Sequence, residues 1–443
     1  MEDYSADKTD LQFRNKEDVY KAFGLIGAVY FVVMFTASRP LHKWVFTQWM
    51  FSYEFEFVKR ALHGEIFRLL GIDISYTLIN AFVFALIVIL NVMLILLFSH
   101  PVRRRIFGNI GLKNQFSVSV WANKPIHIGL GLFFLMALLH STTLQRFFQF
   151  PGYLEHLQLL LVLGALYALC RTFRSTARQQ KYYHFLIVGA VCFTSLFIHE
   201  AFLFFYLPMI FMYWFYEVPG GKRYNALRFL LLTSLIFLTW VIGTYGLLSA
   251  DQYQMVLSEL VDRFGSERVD LESYGVLFRG FSANLEFTWN WFGQRLIEKS
   301  IHLGCTIIIL SPTAYVFWKL YEDDFFQVWG IIFNRNSENQ KISTPKNSAL
   351  RVLLILSCCT PLMLIPIGID IFRWISISTL NMFIITFILM FDNDFEKRVS
   401  EKLFQLRFII GLVIALSLIF GTLGITNSFS WVYKLTTNLG FGI

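Results

Sequence analysis

Long apolar runs separated by short polar segments dominate this chain. They recur from residue 22 to residue 423, and several approach or exceed the ~18–20 residues that cross ~30 Å of hydrocarbon. Hydrophobic residues make up 56% of the chain and charged residues only 15%, which excludes an ordinary soluble domain. The pattern predicts an all-α, polytopic integral membrane protein with about eleven transmembrane helices.

Two of the apolar runs are too long for one membrane span. The run 183–216 would form a helix of about 51 Å at 1.5 Å per residue, and its only polar break is at 199–200. The run 352–390 carries charges only within the segment 366–374, which also holds a proline and a glycine. Basic residues flank both ends of each run, so we expect both ends in the cytoplasm and a hairpin tip on the outer side.

The positions of basic residues also orient the whole chain. The positive-inside rule predicts a cytoplasmic tail (1–21), one transmembrane domain (22–424) and an outer C-terminal tail (425–443). The predicted outer loops are 39–75, 141–155 and 249–299, the last of them between spans seven and eight. The basic residues that give the chain its net charge of +8 sit in short loops between the spans, mostly on the predicted cytoplasmic side, so no nucleic-acid partner is predicted. The chain has no Asn-x-Ser/Thr sequon, which favours a bacterial inner membrane.

The first outer loop contains a segment with helical periodicity that cannot cross a bilayer. Read as a helix from Glu56, the stretch 53–71 places its apolar residues at i, i+3 and i+4 spacings, with Lys59, Arg60 and His63 on the opposite side. This pattern predicts an amphipathic helix on the membrane surface. The same pattern also fits a simple interfacial anchor supported by i,i+4 pairs such as Glu56–Arg60.

Ionisable residues beside apolar segments come from three distant parts of the chain and are all predicted at the outer face. Such groups are costly at membrane depth, so they usually form pairs or serve a function. The alternative is local neutralisation within each tip. The candidate proton acceptors are Glu54, Glu56, His199, Glu200 and Asp370. The candidate substrate-binding residues are Lys59, Arg60, Arg68, Arg279, Arg373 and Trp374.

The outer loop 249–299 interleaves arginines and carboxylates with aromatic residues, a combination that suits sugars and phosphates. The five cysteines have no metal-type spacing, no nucleotide-binding motif is present, and no metal or cofactor is predicted. Outer-face chemistry without nucleotides needs a substrate activated within the membrane, such as a polyprenyl-diphosphate-linked glycan. Arginines would hold the diphosphate, and a carboxylate or histidine would take the proton of the acceptor hydroxyl.

Arg60 and Gly71 are separated by ten residues, and the segments FVKRALHGEIFR, FIHE and GIDIFRW flank predicted spans. With these motifs, the eleven-span layout resembles bacterial O-antigen and capsule repeat-unit polymerases. The resemblance implies glycosyltransferase activity in polysaccharide biosynthesis, with a flippase and a chain-length regulator as possible partners.

Two alternatives stay open. A C-type glycosyltransferase would place an acidic motif in the first outer loop, where Glu54 and Glu56 lie, and metal dependence would identify it. A lipid-sugar transporter or flippase would use the hairpin tips as gates. Against a transporter, no two-fold internal similarity is evident and the polar residues collect at one face.

Overall fold

The computed structural model describes residues 27–54, 56–107, 125–171, 178–218, 220–333, 345–425 and 428–438. These residues form helices and connecting loops, with no β-strand among them. The predicted cytoplasmic tail and the first residues of span one lie outside the described residues.

The helices follow the apolar runs closely. Helices α1 to α10 are Gly27–Ala37, Lys43–Trp49, Leu62–Leu69, Tyr76–Phe107, Pro125–Leu139, Leu144–Gln149, Leu154–Arg171, Arg178–Ile198, Phe202–Phe205 and Leu207–Glu217. Helices α11 to α20 are Lys222–Tyr245, Ala250–Phe264, Leu271–Gly275, Phe281–Gln294, Leu296–Phe333, Pro345–Cys358, Ile371–Leu389, Asn393–Gln405, Arg407–Phe420 and Ser430–Asn438. A 3₁₀-helix at Thr360–Leu364 joins α16 to α17.

Within the described residues, six helices are long and apolar enough to cross a membrane, and a seventh is added if α18 and α19 count as one bent span. The chain is therefore a multi-pass membrane protein. The six are Tyr76–Val102, Ile128–Gln149, Lys181–Ile198, Lys222–Tyr245, Leu296–Gly330 and Ile371–Leu389. The predicted number of eleven is not confirmed, because α10 has only 11 residues and α16 only 14.

The core lies where α17 is enclosed by its neighbours. Nearly every residue of α17 is buried, and its Phe383 and Phe387 rings pack on Phe133 of α5 at centroid distances of 5.6 and 5.1 Å. Phe317 of α15 completes this group, 5.0 Å from Phe383. The helix α11 is the opposite case, since most of its apolar side chains are exposed and so are available to lipid. The core therefore packs the second half of α17 against α5 and α15.

The first-loop helix is shorter than predicted, and its predicted polar face is buried. Helix α3 begins only at Leu62, and before it the Lys59 N–H donates to the Gly246 carbonyl after α11. Its polar residues His63 and Gly64 are buried, while Leu69 and Leu70 are 72% and 67% exposed. The predicted polar face therefore packs against protein, and the apolar face is the one available to the membrane.

Tight backbone contact explains this orientation. A Cβ atom on Gly64 would meet the Phe51 carbonyl oxygen and lie 2.9 Å from the Phe51 carbonyl carbon. The His63 Nε2 atom is 2.7 Å from the Gln48 carbonyl oxygen. Only glycine allows this approach, and it seats α3 on the C-terminal end of α2.

The long helix α15 connects two belts of charged residues. Glu298 and Lys299 lie near its start, and Asp324 lies about 39 Å further along at 1.5 Å per residue. Asp324 is fully buried and accepts hydrogen bonds from Arg351 and Arg398 at 2.7 and 2.8 Å. This separation exceeds the ~30 Å hydrocarbon thickness, so the two belts suit opposite membrane surfaces.

Candidate functional site

A set of four residues, here called the Arg60 cluster, joins the first loop to the tip after α8. It consists of Lys59, Arg60, His199 and Glu200. The Arg60 guanidinium donates to Glu200 through Nε at 2.9 Å and Nη2 at 2.5 Å, across 140 residues of sequence. His199 Nδ1 lies 3.5 Å from Glu200 Oε2, the oxygen that also accepts from Arg60 Nε. The first outer loop and the first hairpin tip therefore meet in one two-pronged ion pair.

The backbone holds Arg60 in an unusual conformation. Its φ of 63° is the only positive value among non-glycine residues in the described parts of the chain. The neighbouring Lys59 is fixed at both ends: its N–H donates to the Gly246 carbonyl at 3.1 Å and its Nζ donates to the Arg279 carbonyl at 3.0 Å. Left-handed backbone costs of order 1–3 kcal/mol and persists only where surrounding contacts enforce it. The fold therefore holds a strained backbone conformation that directs this guanidinium toward Glu200.

The charges of the Arg60 cluster shift the protonation of its members. Burial alone would raise the pKa of Glu200, but the charge of Arg60 outweighs it and holds that pKa well below its usual range. Burial lowers the pKa of Lys59 to about 8, against the opposing effect of Glu200. Burial likewise lowers the pKa of His199 to about 3. At neutral pH the cluster thus holds an ionised carboxylate, a neutral imidazole and two cations.

A second set, here called the Arg373 cluster, lies at the start of α17 and consists of Arg146, Glu155, Asp370 and Arg373. Arg373 donates to Glu155 at 2.9 and 2.6 Å and to Asp370 at 3.0 Å. Arg146 lies 3.8 Å from Glu155 and donates to the Arg373 carbonyl at 3.0 Å. The face of Tyr153 lies 4.6 Å from the Arg373 guanidinium carbon. Two cations are thus balanced by two carboxylates.

Sequence reasoning missed the roles of Glu155 and Arg146. Both lie in the predicted loop 141–155, which attracted no attention because it is short and contains one charge of each sign. A usable signal existed: a carboxylate in the first turn of an apolar helix, as Glu155 is in α7, requires a cation when buried.

The two clusters are neighbours. The Phe205 ring lies 5.9 Å from the His199 ring and 5.8 Å from the Arg373 guanidinium carbon. Gln158 of α7 donates to the carbonyls of Ser195 and His199 at 2.8 and 2.7 Å. Helix α7 therefore carries one residue of the Arg373 cluster and one support of the Arg60 cluster. Residues from the first outer loop and from both hairpin tips therefore come together in this region.

Three of the predicted site residues lie elsewhere, around a cavity of about 160 Å³ between the first loop and α12. These are Glu54, Glu56 and Arg68. Arg68 is paired with Glu65, and the Gln252 side chain donates to Glu56. Neither Arg60 nor Arg373, the two arginines of the clusters described above, lines this cavity.

The last two predicted site residues act through packing in this structure. The Arg279 guanidinium lies over the Phe287 ring at 4.5 Å, and only its backbone carbonyl meets the Arg60 cluster. Trp374 is buried against Gly368, where an added Cβ atom would lie 2.9 Å from the indole ring. Among the described residues, the carboxylates of the two clusters are paired with Arg60 and Arg373, and not with Arg279 or Trp374.

Within the part of the chain that the structure describes, no three His, Cys, Asp or Glu side chains gather as metal ligands would. The two clusters are instead ion pairs, in which guanidinium groups meet carboxylates at hydrogen-bond distance. Comparison of the chain with protein-family models, with curated proteins and with solved structures finds no match.

Proposed function

We propose that this protein transfers glycan from a polyprenyl-diphosphate-linked donor at the outer membrane face, extending a surface polysaccharide of the O-antigen or capsule type. The observation that carries the proposal is the Arg60–Glu200 pair: a guanidinium in strained backbone, presented two-pronged to an ionised carboxylate. A phosphate group of the diphosphate, like a carboxylate, offers a guanidinium two oxygen acceptors side by side. It can therefore replace Glu200 on Arg60 and leave that carboxylate free to act.

Exposure and charge favour the Arg60 cluster over the Arg373 cluster as the substrate site. The Arg60 and Glu200 side chains are 12% and 20% exposed, whereas those of Arg373 and Glu155 are only 5% and 3% exposed. The Arg60 cluster also has two cations for one carboxylate, which leaves positive charge for an anion. The Arg373 cluster is already neutral, so we assign Arg373 to holding the start of α17 in place.

The reaction follows from this arrangement. An acceptor hydroxyl oxygen bonds to the anomeric carbon of the donor, and the bond from that carbon to the diphosphate oxygen breaks with its electron pair. Arg60 and Lys59 stabilise the negative charge that develops on the leaving diphosphate. Glu200, displaced from Arg60, accepts the hydroxyl proton. His199 is neutral and its Nδ1 lies 3.5 Å from Glu200, so it adds no charge that would compete with Arg60 for the diphosphate.

The cavity beside α12 suits the acceptor glycan. Its wall combines apolar residues with Glu54, Glu56 and Arg68, which can bond to sugar hydroxyls. Val58 also lines this cavity, and its Cα atom lies within about 7 Å of that of Arg60, because two residues span no more. An acceptor held there would have its end close to the diphosphate.

The proposed orientation places the N-terminus in the cytoplasm and uses eleven spans, with the shorter apolar helices completing the count. Reporter fusions test it. Fusions after Glu56, Gly220, Asp270, Lys346 and Phe395 are expected to report outside, inside, outside, inside and inside. The fusions after Gly220 and Asp270 flank α11, and finding them on the same side would refute this topology.

The activity is tested with purified protein in liposomes that contain polyprenyl-diphosphate-linked oligosaccharide. We expect longer lipid-linked glycans on a gel, and no extension by Arg60→Lys, which keeps the charge but loses the two-pronged donor. Arg268→Gln is the matched control, because Arg268 is an exposed arginine of the outer loop whose only ion pair among the described residues is with Glu267. Undiminished extension by Arg60→Lys would refute the role of Arg60. Absence of extension by the wild type with every donor supplied would refute the function.

A further inference from the structure

A basic pocket lies at the far end of α8 from the Arg60 cluster. It is formed where α8 and α11 begin, about 27 Å along α8 from His199 at 1.5 Å per residue. Its volume is about 350 Å³. It is lined by three basic side chains and three apolar or aromatic ones, which are Lys181, Lys222, Arg223, Tyr182, Tyr224 and Leu227. The glycosyl-transfer proposal makes no use of this pocket.

The two helix ends are fastened to each other. The Tyr224 hydroxyl donates to the Lys181 carbonyl at 2.7 Å, and the Tyr224 ring meets Trp214 edge-on at 5.9 Å. Tyr224 is itself buried. The pocket is thus a fixed concavity between two helices of the bundle.

A buried cation beneath the pocket strengthens its positive field. Arg228 is 1% exposed, and its guanidinium carbon lies 4.3 Å from the Tyr224 ring and 4.6 Å from the Trp214 ring. Its Nε has no hydrogen-bond partner, and no carboxylate lies within ion-pair distance of it, among the described residues. Within the same part of the chain, Lys222 and Arg223 also form no ion pair. Among the described residues, Lys222, Arg223 and Arg228 therefore lack the carboxylate partners that Arg60 and Arg373 have.

The first turn of α11 adds donors to this charge. Gly221 is the N-cap of this 24-residue helix and provides no side-chain cap. A Cβ atom on Gly221 would meet nothing within 4 Å, so an anion can approach the first N–H groups. A helix N-terminus carries about half a positive charge and favours phosphate groups.

We propose that this pocket binds the phosphate group of an anionic phospholipid headgroup. Phosphate matches the cations Lys222 and Arg223 and the open N–H groups, and the aromatic rings of Tyr182 and Tyr224 suit the interfacial level of a bilayer. The acyl chains have a surface to follow, because Phe229 and Leu230 are 59% and 63% exposed directly beyond the pocket. A soluble phosphate shares the headgroup chemistry, and the experiment below separates the two sources.

The test uses the full chain, purified in mild detergent, and native mass spectrometry with added phosphatidylglycerol or phosphatidylcholine. We expect the wild type to retain phosphatidylglycerol preferentially, and Lys222→Gln with Arg223→Gln to bind it about 30-fold more weakly. That factor corresponds to about 1 kcal/mol for each base near an anionic lipid. Lys397→Gln with Arg407→Gln removes the same charge elsewhere and should retain the lipid.

Gly221→Asp gives an independent measurement that does not weaken the fold. The φ of −72° and ψ of 171° at Gly221 suit an aspartate N-cap, so this variant should be at least as stable as the wild type while its carboxylate competes with phosphate. Lower lipid retention at unchanged melting temperature supports the site. Stabilisation by millimolar inorganic phosphate without lipid preference would assign the pocket to a soluble phosphate. Equal retention by the wild type and the Lys222/Arg223 variant, or equal loss in the control pair, would overturn the proposal.

Discussion

The Glu155–Arg373 pair offers a quantitative test of how the two clusters differ. Its hydrogen bonds of 2.9 and 2.6 Å join side chains that are 3% and 5% exposed. Removing one partner of a buried pair costs about 3–5 kcal/mol, because the other charge stays buried without compensation. Glu155→Gln leaves Arg146 and Arg373 to share Asp370, so we expect a loss of this size in the free energy of unfolding.

Removing both partners should cost less than the two single changes suggest. Glu155→Gln with Arg373→Gln leaves Arg146 and Asp370, one charge of each sign, and the cluster is neutral again. We therefore expect a coupling energy of about 3 kcal/mol between the two substitutions. The exposed pair Glu267–Arg268, at 3.7 Å, is the matched control and should show a coupling of about 1 kcal/mol or less.

The assay is unfolding of each purified variant in mixed micelles of mild detergent and sodium dodecyl sulfate. Tryptophan fluorescence reports the transition, since the chain has 11 tryptophans. Insertion levels of all variants are measured in parallel. A Glu155–Arg373 coupling as small as that of the Glu267–Arg268 control would refute a structural role for this pair, and Arg373 would again be a candidate for diphosphate binding.

Three further outcomes are expected. Gly64→Ala, which forces a Cβ atom against the Phe51 backbone, should lower the free energy of unfolding by about 1–3 kcal/mol or more. The control Gly164→Ala has open space around it and should not lower it. Equal melting temperatures of the two variants would contradict the packing of α3. Arg60→Gly should be more stable than Arg60→Ala by about 1–2 kcal/mol, because both variants lose the ion pair but only alanine keeps the strain of the left-handed conformation. The reverse order of stability in chemical unfolding would refute the left-handed conformation at residue 60. Burial lowers the pKa of Lys59 to about 8 from 10.5, so the unfolded chain binds more protons than the folded chain between these pH values. The wild type should therefore gain stability relative to Lys59→Met as pH rises from about 8 to about 10.5. A stability difference that does not change with pH would refute the burial of this amine.

Much of the architecture could be predicted from hydrophobic pattern alone. Apolar runs specify helices because backbone polar groups in lipid must be satisfied within the segment, and this holds whatever the neighbours are. The C-terminal end of α8 coincides with the charged break at 199–200, and the start of α17 coincides with the break at 366–374. Span number was harder, because composition does not distinguish an 11-residue buried helix such as α10 from half of a membrane crossing.

The candidate site depended on contacts that a linear pattern does not contain. Periodicity placed His63 on a polar face, but its bond to the Gln48 carbonyl buries that face against protein. Glu155 was invisible for a related reason: its partner Arg373 lies 218 residues away. By contrast, the joining of Arg60 to Glu200 was anticipated in outline, since both were expected at one face of the membrane.

The Phe205 ring has a consequence for how the two clusters behave together. It stands 5.9 Å from the His199 ring and 5.8 Å from the Arg373 guanidinium carbon. An apolar ring at this position separates the two charged clusters. The ring therefore lies between the His199 imidazole and the Arg373 guanidinium, which is occupied by Glu155. Under the proposed function, this occupied guanidinium would leave the displaced Glu200 carboxylate without a second arginine partner.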